Sequence, residues 1–359
     1  MPRKITYAEA GVDRKQRAES KKALHLLKET YRFSRHGEVI QLPYGNIFPV
    51  GQNRYMDLNV EGVGTKVLVA QLAERYDTIG IDSVAMAVND VIRSGAKPFA
   101  IADNIHAQAS DPTLVGEWLI GIAKGAVESE CVVPSGEIGD VGELIKGLAE
   151  GKGFDMVVAA IGEVAKEKVI FGTNIKPGDA IIGMQSSGIH SNGISLARKI
   201  LFKQWGGKYE AHDIPDGLSR EIVDEVLEPT RIYVKPFLKV SRKLHVKGAV
   251  HITGDAYLKF DRLTKFSEGV GFKFNNFEPQ PIFELIQKTA SAIGGRITDE
   301  EMFKTFNMGW GFAIVINNHD KEEALSTLNK TKCQAKLIGH VTDSEGIRIR
   351  YKGKKILLK

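Results

Sequence analysis

The stretch from Val84 to Ala107, VAMAVNDVIRSGAKPFAIADNIHA, constrains the fold more than any other, because it reads as a helix, a turn and an interior strand in succession. Val84, Ala87, Val88, Val91 and Ile92 recur at helical spacing and form the expected packed face. Asp82 or Ser83 is placed to cap the front of that helix, and Gly95 with Pro98 stops it. Phe99–Ala102 is a short apolar run that suits a buried strand ending in Asp103. Asn89 and Asp90 fall outside the apolar face, and Asp103 falls where open sheets gather ligands. Two acids and an amide on neighbouring elements suit a divalent cation with a phosphate ester, and hard oxygen ligands suit magnesium. A solvent-facing Asp90 and a turn-forming Asp103 fit this stretch equally well.

The flanking segments add to it. Tyr55–Val60 reads as a strand that runs through Glu61-Gly-Val-Gly-Thr-Lys66 into a helix over Val67–Glu74. Backbone amides of Gly62 and Gly64 at a helix start can hold phosphate, with Thr65 adding a hydroxyl and Lys66 a charge. A plain tight turn would read the same, and the Walker A spacing is absent. Asp111 and Pro112 are an N-cap and first-turn proline for a helix lined by Leu114, Trp118 and Ile122. Pro134–Gly142 reads as a glycine-rich loop carrying Glu137 and Asp140 as further candidate contacts. Gln185–Ser195 is almost wholly glycine or hydrogen-bonding residues, and His190 between Ser187 and Ser191 exceeds what a helix cap needs. His251 closes a strand before Thr253 and Gly254, and Thr298 with Glu301 forms a capping-box pattern. Residues 14–35 read as a charged helix with Ala23, Leu24, Leu27 and Tyr31 as its apolar stripe.

At 359 residues the chain is long enough for two domains, and the change of pattern near 165–176 divides it into 1–170 and 171–359. Strands and helices mix in both halves without strict alternation, which predicts an α+β fold rather than a doubly wound sheet. The net charge of +5 suits anionic metabolites, but no basic arm or stacking motif marks a nucleic-acid binder. The lysine-rich tail Lys352–Lys359 reads as a solvated final strand. No apolar run is long enough to span a membrane, and the opening MPRKITYAEAGVDRKQ lacks the apolar core of a secretory signal. Cys131 and Cys333 stand far apart with no disulfide framework or zinc spacing, so a cytoplasmic location is expected.

Taken together, Ser186–Ile200 (SSGIHSNGISLARKI), Val88-Asn-Asp-Val91 with Ser94–Pro98, Pro229–Lys235, His251–Gly254 and Thr305–Gly309 resemble the phosphoribosylformylglycinamidine cyclo-ligase family over nearly the whole chain. Tyr7–Asp13 is similar to that family's opening. Glu61 replaces the usual Asp, Ser135–Asp140 replaces a Gly-Gly-Glu-Thr-Ala-Glu block, Gly254-Asp255-Ala256 replaces three glycines, and Pro43–Val50 stands in place of a glycine-rich loop. Those departures look like an archaeal-type variant.

The resemblance implies a homodimer of two-domain α+β subunits whose N-terminal sheets join, using ATP and magnesium to close the imidazole ring of purine biosynthesis. It implies Asp90, His190 and Lys66 as catalytic, and Glu61, Asp90 and Asp103 as metal ligands. Gly62, Gly64, Thr65, Lys66, Asn89 and Glu137 would bind the nucleotide. Ser187, His190, Ser191, Asn192, Thr230, His251, Thr253 and Gly254 would bind the substrate, formylglycinamidine ribonucleotide. Asp90, Asp103, Lys66 and His190 are expected to line one cleft, and an Asp90→Asn exchange to slow turnover without harming the fold.

Three ATP-using families of the same architecture are the alternatives. A selenophosphate synthetase needs a cysteine near its N-terminal lysine, and none precedes Cys131. A hydrogenase-maturation protein ends in a functional cysteine, where this chain has Lys359. A thiamine-phosphate kinase lacks the His-Ser-Asn-Gly context. A non-catalytic nucleotide- or RNA-binding protein is the remaining class, separated by whether ATP hydrolysis depends on the ribonucleotide substrate.

Overall fold

A computed structural model describes residues 3–358; Met1, Pro2 and Lys359 lie outside the described residues. The chain begins with β1 (Arg3–Lys4) and α1 (Arg14–Ser20), which runs into a 3-10 helix over Lys21–Phe33. It then forms β2 (Ile40–Leu42), β3 (Gly45–Gly51), β4 (Arg54–Gly62), α2 (Lys66–Leu72), α3 (Ile79–Val91), β5 (Lys97–Ala107), α4 (Pro112–Ser129), β6 (Val132–Asp140) and β7 (Phe154–Ala165). Strands β2 to β7 make one mixed sheet in the order β2-β3-β4-β7-β5-β6. Along β7 burial alternates strictly, with Phe154, Met156, Val158 and Ala160 on the inner face beneath α3 and α4. The two helices cross at almost backbone contact. A Cβ on Gly80 would lie 2.2 Å from the Ile122 nitrogen, and one on Gly121 would lie 2.6 Å from the Asp77 carbonyl.

The second half supplies β8 (Ala180–Gln185), α5 (Ile194–Leu201), α6 (Ile222–Leu227), α7 (Val234–Ser241), β9 (Gly248–His251), α8 (Asp261–Thr264), β10 (Gly271–Phe274) and α9 (Pro281–Ala292). It ends with β11 (Gly295–Arg296), α10 (Asp299–Thr305), β12 (Trp310–Ile316), α11 (Lys321–Asn329), β13 (Ala335–Thr342), β14 (Gly346–Tyr351) and β15 (Lys354–Leu358). Seven of these strands form a second mixed sheet, ordered β15-β14-β10-β13-β8-β12-β9. Its central strands β8 and β12 are buried on nearly every residue, as continuous apolar runs require. The layers are α+β, as the mixed pattern predicts.

Four local expectations change. β5 continues to Ala107, so Asp103 sits mid-strand and not at a strand end. Pro134–Asp140 is not a loop but most of the edge strand β6, paired in parallel with β5. Asn89 and Asp90 are buried, because α3 packs on more than its apolar stripe. The 14–33 segment is helical as read, but Leu24 and Leu27 of its apolar stripe are exposed.

The N-terminal segment crosses from one half of the chain to the other. β1 pairs in parallel with β11. Thr298 caps α10 through the Glu301 amide, as its pattern predicts. The Glu301 carboxylate, however, accepts from the Tyr7 amide at 3.1 Å and from Arg14 at 3.0 Å.

Candidate functional site

The β4–α2 junction is the first wall of a cleft of about 660 Å³. Gly64 adopts φ 68°, a left-handed conformation that glycine enters without a Cβ penalty, and this turns the strand into the helix. The Thr65 hydroxyl leaves its own helix end uncapped and meets the Ser195 hydroxyl at 2.8 Å across the cleft. The opposite wall carries Ser191, Asn192, Ile194 and Ser195, and the third is the N-terminal segment with Tyr7, Asp13, Gln16, Arg17 and Lys21. Of the residues named from sequence, Glu61, Gly62, Gly64, Thr65, Ser191 and Asn192 line this cleft. Gly254 stands beside it, since a Cβ there would lie 2.9 Å from Asn192 Oδ1.

Behind the wall lies a buried polar layer. Lys66 does not reach into the cleft: its ammonium is fully buried, 2.9 Å from Asp82 Oδ1 and 2.7 Å from the Glu228 carbonyl. Asp82, expected only as a helix cap, is the hub. It also accepts from Ser191 Oγ at 3.0 Å and from the Thr230 amide and hydroxyl at 2.8 and 2.6 Å. One carboxylate thus fixes α2, the Ser191 loop and the Thr230 loop together. Its only sequence signal was an acid near the start of a helix, which reads as a cap.

His190 and Ser187 sit in the same layer. His190 holds a left-handed φ of 65°, and its Nε2 accepts from the Ser187 amide at 3.1 Å, so the hydrogen belongs on Nδ1. That Nδ1 is buried with no hydrogen-bond partner among the described residues. Burial, with His251, Lys66 and Arg231 nearby, holds the ring neutral far below the usual imidazole value. Ser187 donates to the Pro229 carbonyl. Asn89 is a structural bridge, donating to the Arg231 carbonyl and accepting from the Tyr233 amide.

Asp90 lies at the inner end of this layer, paired with Arg93 at 2.7 Å and with His251 Nδ1 at 2.7 Å. Burial would raise its carboxyl, but Arg93, the His251 bond and Lys259 outweigh that and hold it below the usual range. Its neighbour Glu61 goes the other way, pushed up to about 7 by burial and by the charge and hydrogen bond of Asp90. Burial lowers His251 to about 4 and Lys259 to about 8. Lys259 donates to Thr253 Oγ1 at 2.5 Å and to the His251 carbonyl at 3.2 Å.

Several of the expected placements are not met. Asp103 faces the inner side of the sheet with Val158 between it and Glu61, and its carboxyl rests against Gly136. Among the described residues no group of three His, Cys, Asp or Glu side chains is arranged around a metal position. Of the expected triad, Glu61 and Asp90 adjoin each other, while Asp103 stands apart from them. Glu137 pairs with Asn104 and is exposed on the outer sheet face, away from the cleft, because β6 is a strand where a loop was expected. Lys66 connects to the His190-Ser191 turn through Asp82, and His190 to Asp90 through the Tyr233 and His251 rings, but all three back the cleft rather than line it.

A glycine turn, facing hydroxyls and the adjoining carboxyls of Glu61 and Asp90 thus come together at one cleft. Residues 45–164 match the family of the AIR synthase related protein N-terminal domain, and residues 176–352 match that of its C-terminal domain. Solved structures share the fold at low identity. Hydrogenase maturation protein HypE of E. coli has a TM-score of 0.59 at 15% identity, covering 85% of each chain. T. maritima PurL complexed with ADP has a TM-score of 0.56 at 14% identity, covering 91% of this chain and 46% of that one.

Full-length relatives narrow the class. The chain is 39% identical to the phosphoribosylformylglycinamidine cyclo-ligase of Pyrococcus furiosus, over 98% of this chain and 100% of that protein. It is 37% identical to the same enzyme of Methanocaldococcus jannaschii, over 95% and 93% respectively. The chain belongs to the phosphoribosylformylglycinamidine cyclo-ligase family, as the Ser186–Ile200 block and its companions imply. No helix among the described residues is long and apolar enough to cross a membrane.

Proposed function

We propose that this chain closes the imidazole ring of aminoimidazole ribonucleotide, with ATP phosphorylating the formyl amide oxygen of formylglycinamidine ribonucleotide. The observation that carries this reading is full-length identity of 39% to an enzyme of that name, together with a cleft to which the resembling segments Tyr7–Asp13 and Ser186–Ile200 each contribute a wall. The amide oxygen is a poor leaving group. Transfer of the γ-phosphoryl to it makes an imino-phosphate, the amidine-side nitrogen attacks that carbon, and the C–O bond breaks to release phosphate. ADP and the ring product leave.

Such chemistry calls for positioning and charge compensation more than covalent help. The amides of the Gly62–Thr65 turn would hold phosphate oxygens, with the hydroxyls of Thr65 and Ser195 beside them. Ser191, aligned by Asp82, and Asn192 would orient the substrate from the facing wall. His190, Thr230, His251 and Thr253 would hold the loops behind that wall in register, and neutral His190 keeps an Nδ1 hydrogen for a group that reaches it. Glu61 and Asp90 fit a divalent cation, since the two carboxyls adjoin and a cation would relieve the repulsion that, with burial, raises Glu61. A magnesium ion there would neutralise triphosphate charge.

We read the protein as a homodimer joined through the outer face of the N-terminal sheet. Leu58 and Val60 on β4 are 53% and 59% exposed, Val132 on β6 is 61% exposed, and Ala102 and Ala159 lie on the same face. A contiguous apolar sheet face of this kind marks an association surface. The test of the function is a coupled assay with ATP. ADP release that requires formylglycinamidine ribonucleotide, with matching ring product, supports the reading, and ADP release indifferent to that substrate refutes it.

A further inference from the structure

We propose that Arg17 and Lys21, on the N-terminal segment, are the cations that hold a phosphate group in the cleft. The proposal rests on reading the cleft as the phosphoryl-transfer site. The cation that the β4–α2 turn would ordinarily offer is withdrawn here: Lys66 is fully buried between Asp82 and the Glu228 carbonyl. Arg93 and Lys259 are buried as well, bound to Asp90 and to the Thr253 hydroxyl. Of the residues that line the cleft, Arg17 and Lys21 alone are cationic. Neither side chain makes a hydrogen bond or ion pair with any described residue. The two carboxyls in the lining are already engaged, since Asp13 caps α1 through the Lys15 and Gln16 amides and Glu61 is bonded to Asp90.

The segment is anchored so as to present these two side chains. Arg14 Nη1 donates to Glu301 at 3.0 Å, its Nη2 donates to the Lys304 carbonyl and the Thr305 hydroxyl at 2.8 Å, and its Nε lies 3.5 Å from Asp255. Asp255 directly follows Gly254, which borders Asn192 in the cleft. Arg17 follows Arg14 by three residues and Lys21 follows Arg17 by four, so all three share one helical face. Arg14 grips the C-terminal half while the other two overlook the Gly62–Thr65 turn. Arg17 offers a planar fork for phosphate oxygens and Lys21 a point charge.

The ligand chemistry is a phosphate ester, from either the nucleotide or the ribonucleotide substrate. The probe is inorganic tripolyphosphate, titrated calorimetrically into the full chain, the double variant Arg17→Ala/Lys21→Ala, and a Lys15→Ala control from the same helix outside the cleft. The double variant should lose about tenfold in affinity and Lys15→Ala should stay within about twofold. In turnover, the KM for either ATP or formylglycinamidine ribonucleotide should rise while kcat changes little, and the affected KM identifies the source. Failure of the parent chain to bind tripolyphosphate, unchanged affinity in the double variant, or an equal loss in Lys15→Ala overturns the proposal. Tripolyphosphate binding needs no turnover, so a chain inactive on formylglycinamidine ribonucleotide would refute the function and leave this assignment to the calorimetry.

Discussion

Asp90 shows how burial changes what a side chain can be asked to do. From sequence, Asp90→Asn should slow turnover and spare the fold. In the structure it balances Arg93 and His251 inside a closed layer, and removing one member of a buried pair leaves the others uncompensated. Asp90→Asn should therefore lower unfolding free energy by about 3 kcal/mol in chemical denaturation, besides reducing turnover. An unchanged denaturation midpoint would return Asp90 to a purely catalytic role. Asp57 allows a cleaner test, because burial pushes its carboxyl up to about 6. A carboxyl raised in the folded state contributes stability below pH about 4 that is lost as pH climbs through its folded value. Asp57→Asn should then gain on the parent by up to about 3 kcal/mol between pH 4 and pH 7. The depressed His251 slopes the opposite way in both proteins and cancels in the difference. A difference that does not change with pH would show that Asp57 is not desolvated. The residue types at these positions were legible as oxygen-rich chemistry, but which of them face a ligand was not. Lys66 and Asn89 look like binding groups until their partners, Asp82 and the Tyr233 amide, are seen to come from 16 and 144 residues away.

The elements were read well where periodicity was strong and poorly where glycine hid it. Asp111 accepts from the Thr113 and Leu114 amides, as its N-cap pattern predicts. Replacing it with Ala should cost about 1 kcal/mol in a thermal melt. Most of β6 reads as a loop in the sequence because Pro134, Gly136, Gly139 and the polar residues between them suppress the alternation that marks a strand; its partner β5 supplies the order. The same long-range pairing places Asp103 mid-strand. The α3–α4 crossing was also invisible in sequence, since a close approach between two helices leaves no local pattern at Gly80 or Gly121. In the structure they permit the helices to touch, and Gly121→Ala should destabilise the chain by about 1–3 kcal/mol through a forced separation. Full stability in that variant would mean the crossing is looser than described.

For the molecule as a whole, the α+β architecture and the family were legible because several short motifs agreed on one answer across the full length. The route of the N-terminal segment was not, since Arg14 meets Glu301 across 287 residues of sequence. Neither was the exposed apolar face of the N-terminal sheet, whose residues read simply as strand. If that face joins two copies, Val60→Glu should convert the protein to a monomer in sedimentation, by placing a charge in the middle of a dry interface. A dimer that persists would move the contact elsewhere. The central claim is that ATP activates the formyl oxygen so that it departs as phosphate. Formylglycinamidine ribonucleotide carrying ¹⁸O in its formyl group tests this directly, with the inorganic phosphate analysed after one turnover. The account predicts that the label appears in phosphate; label recovered in water, with unlabelled phosphate, would contradict it.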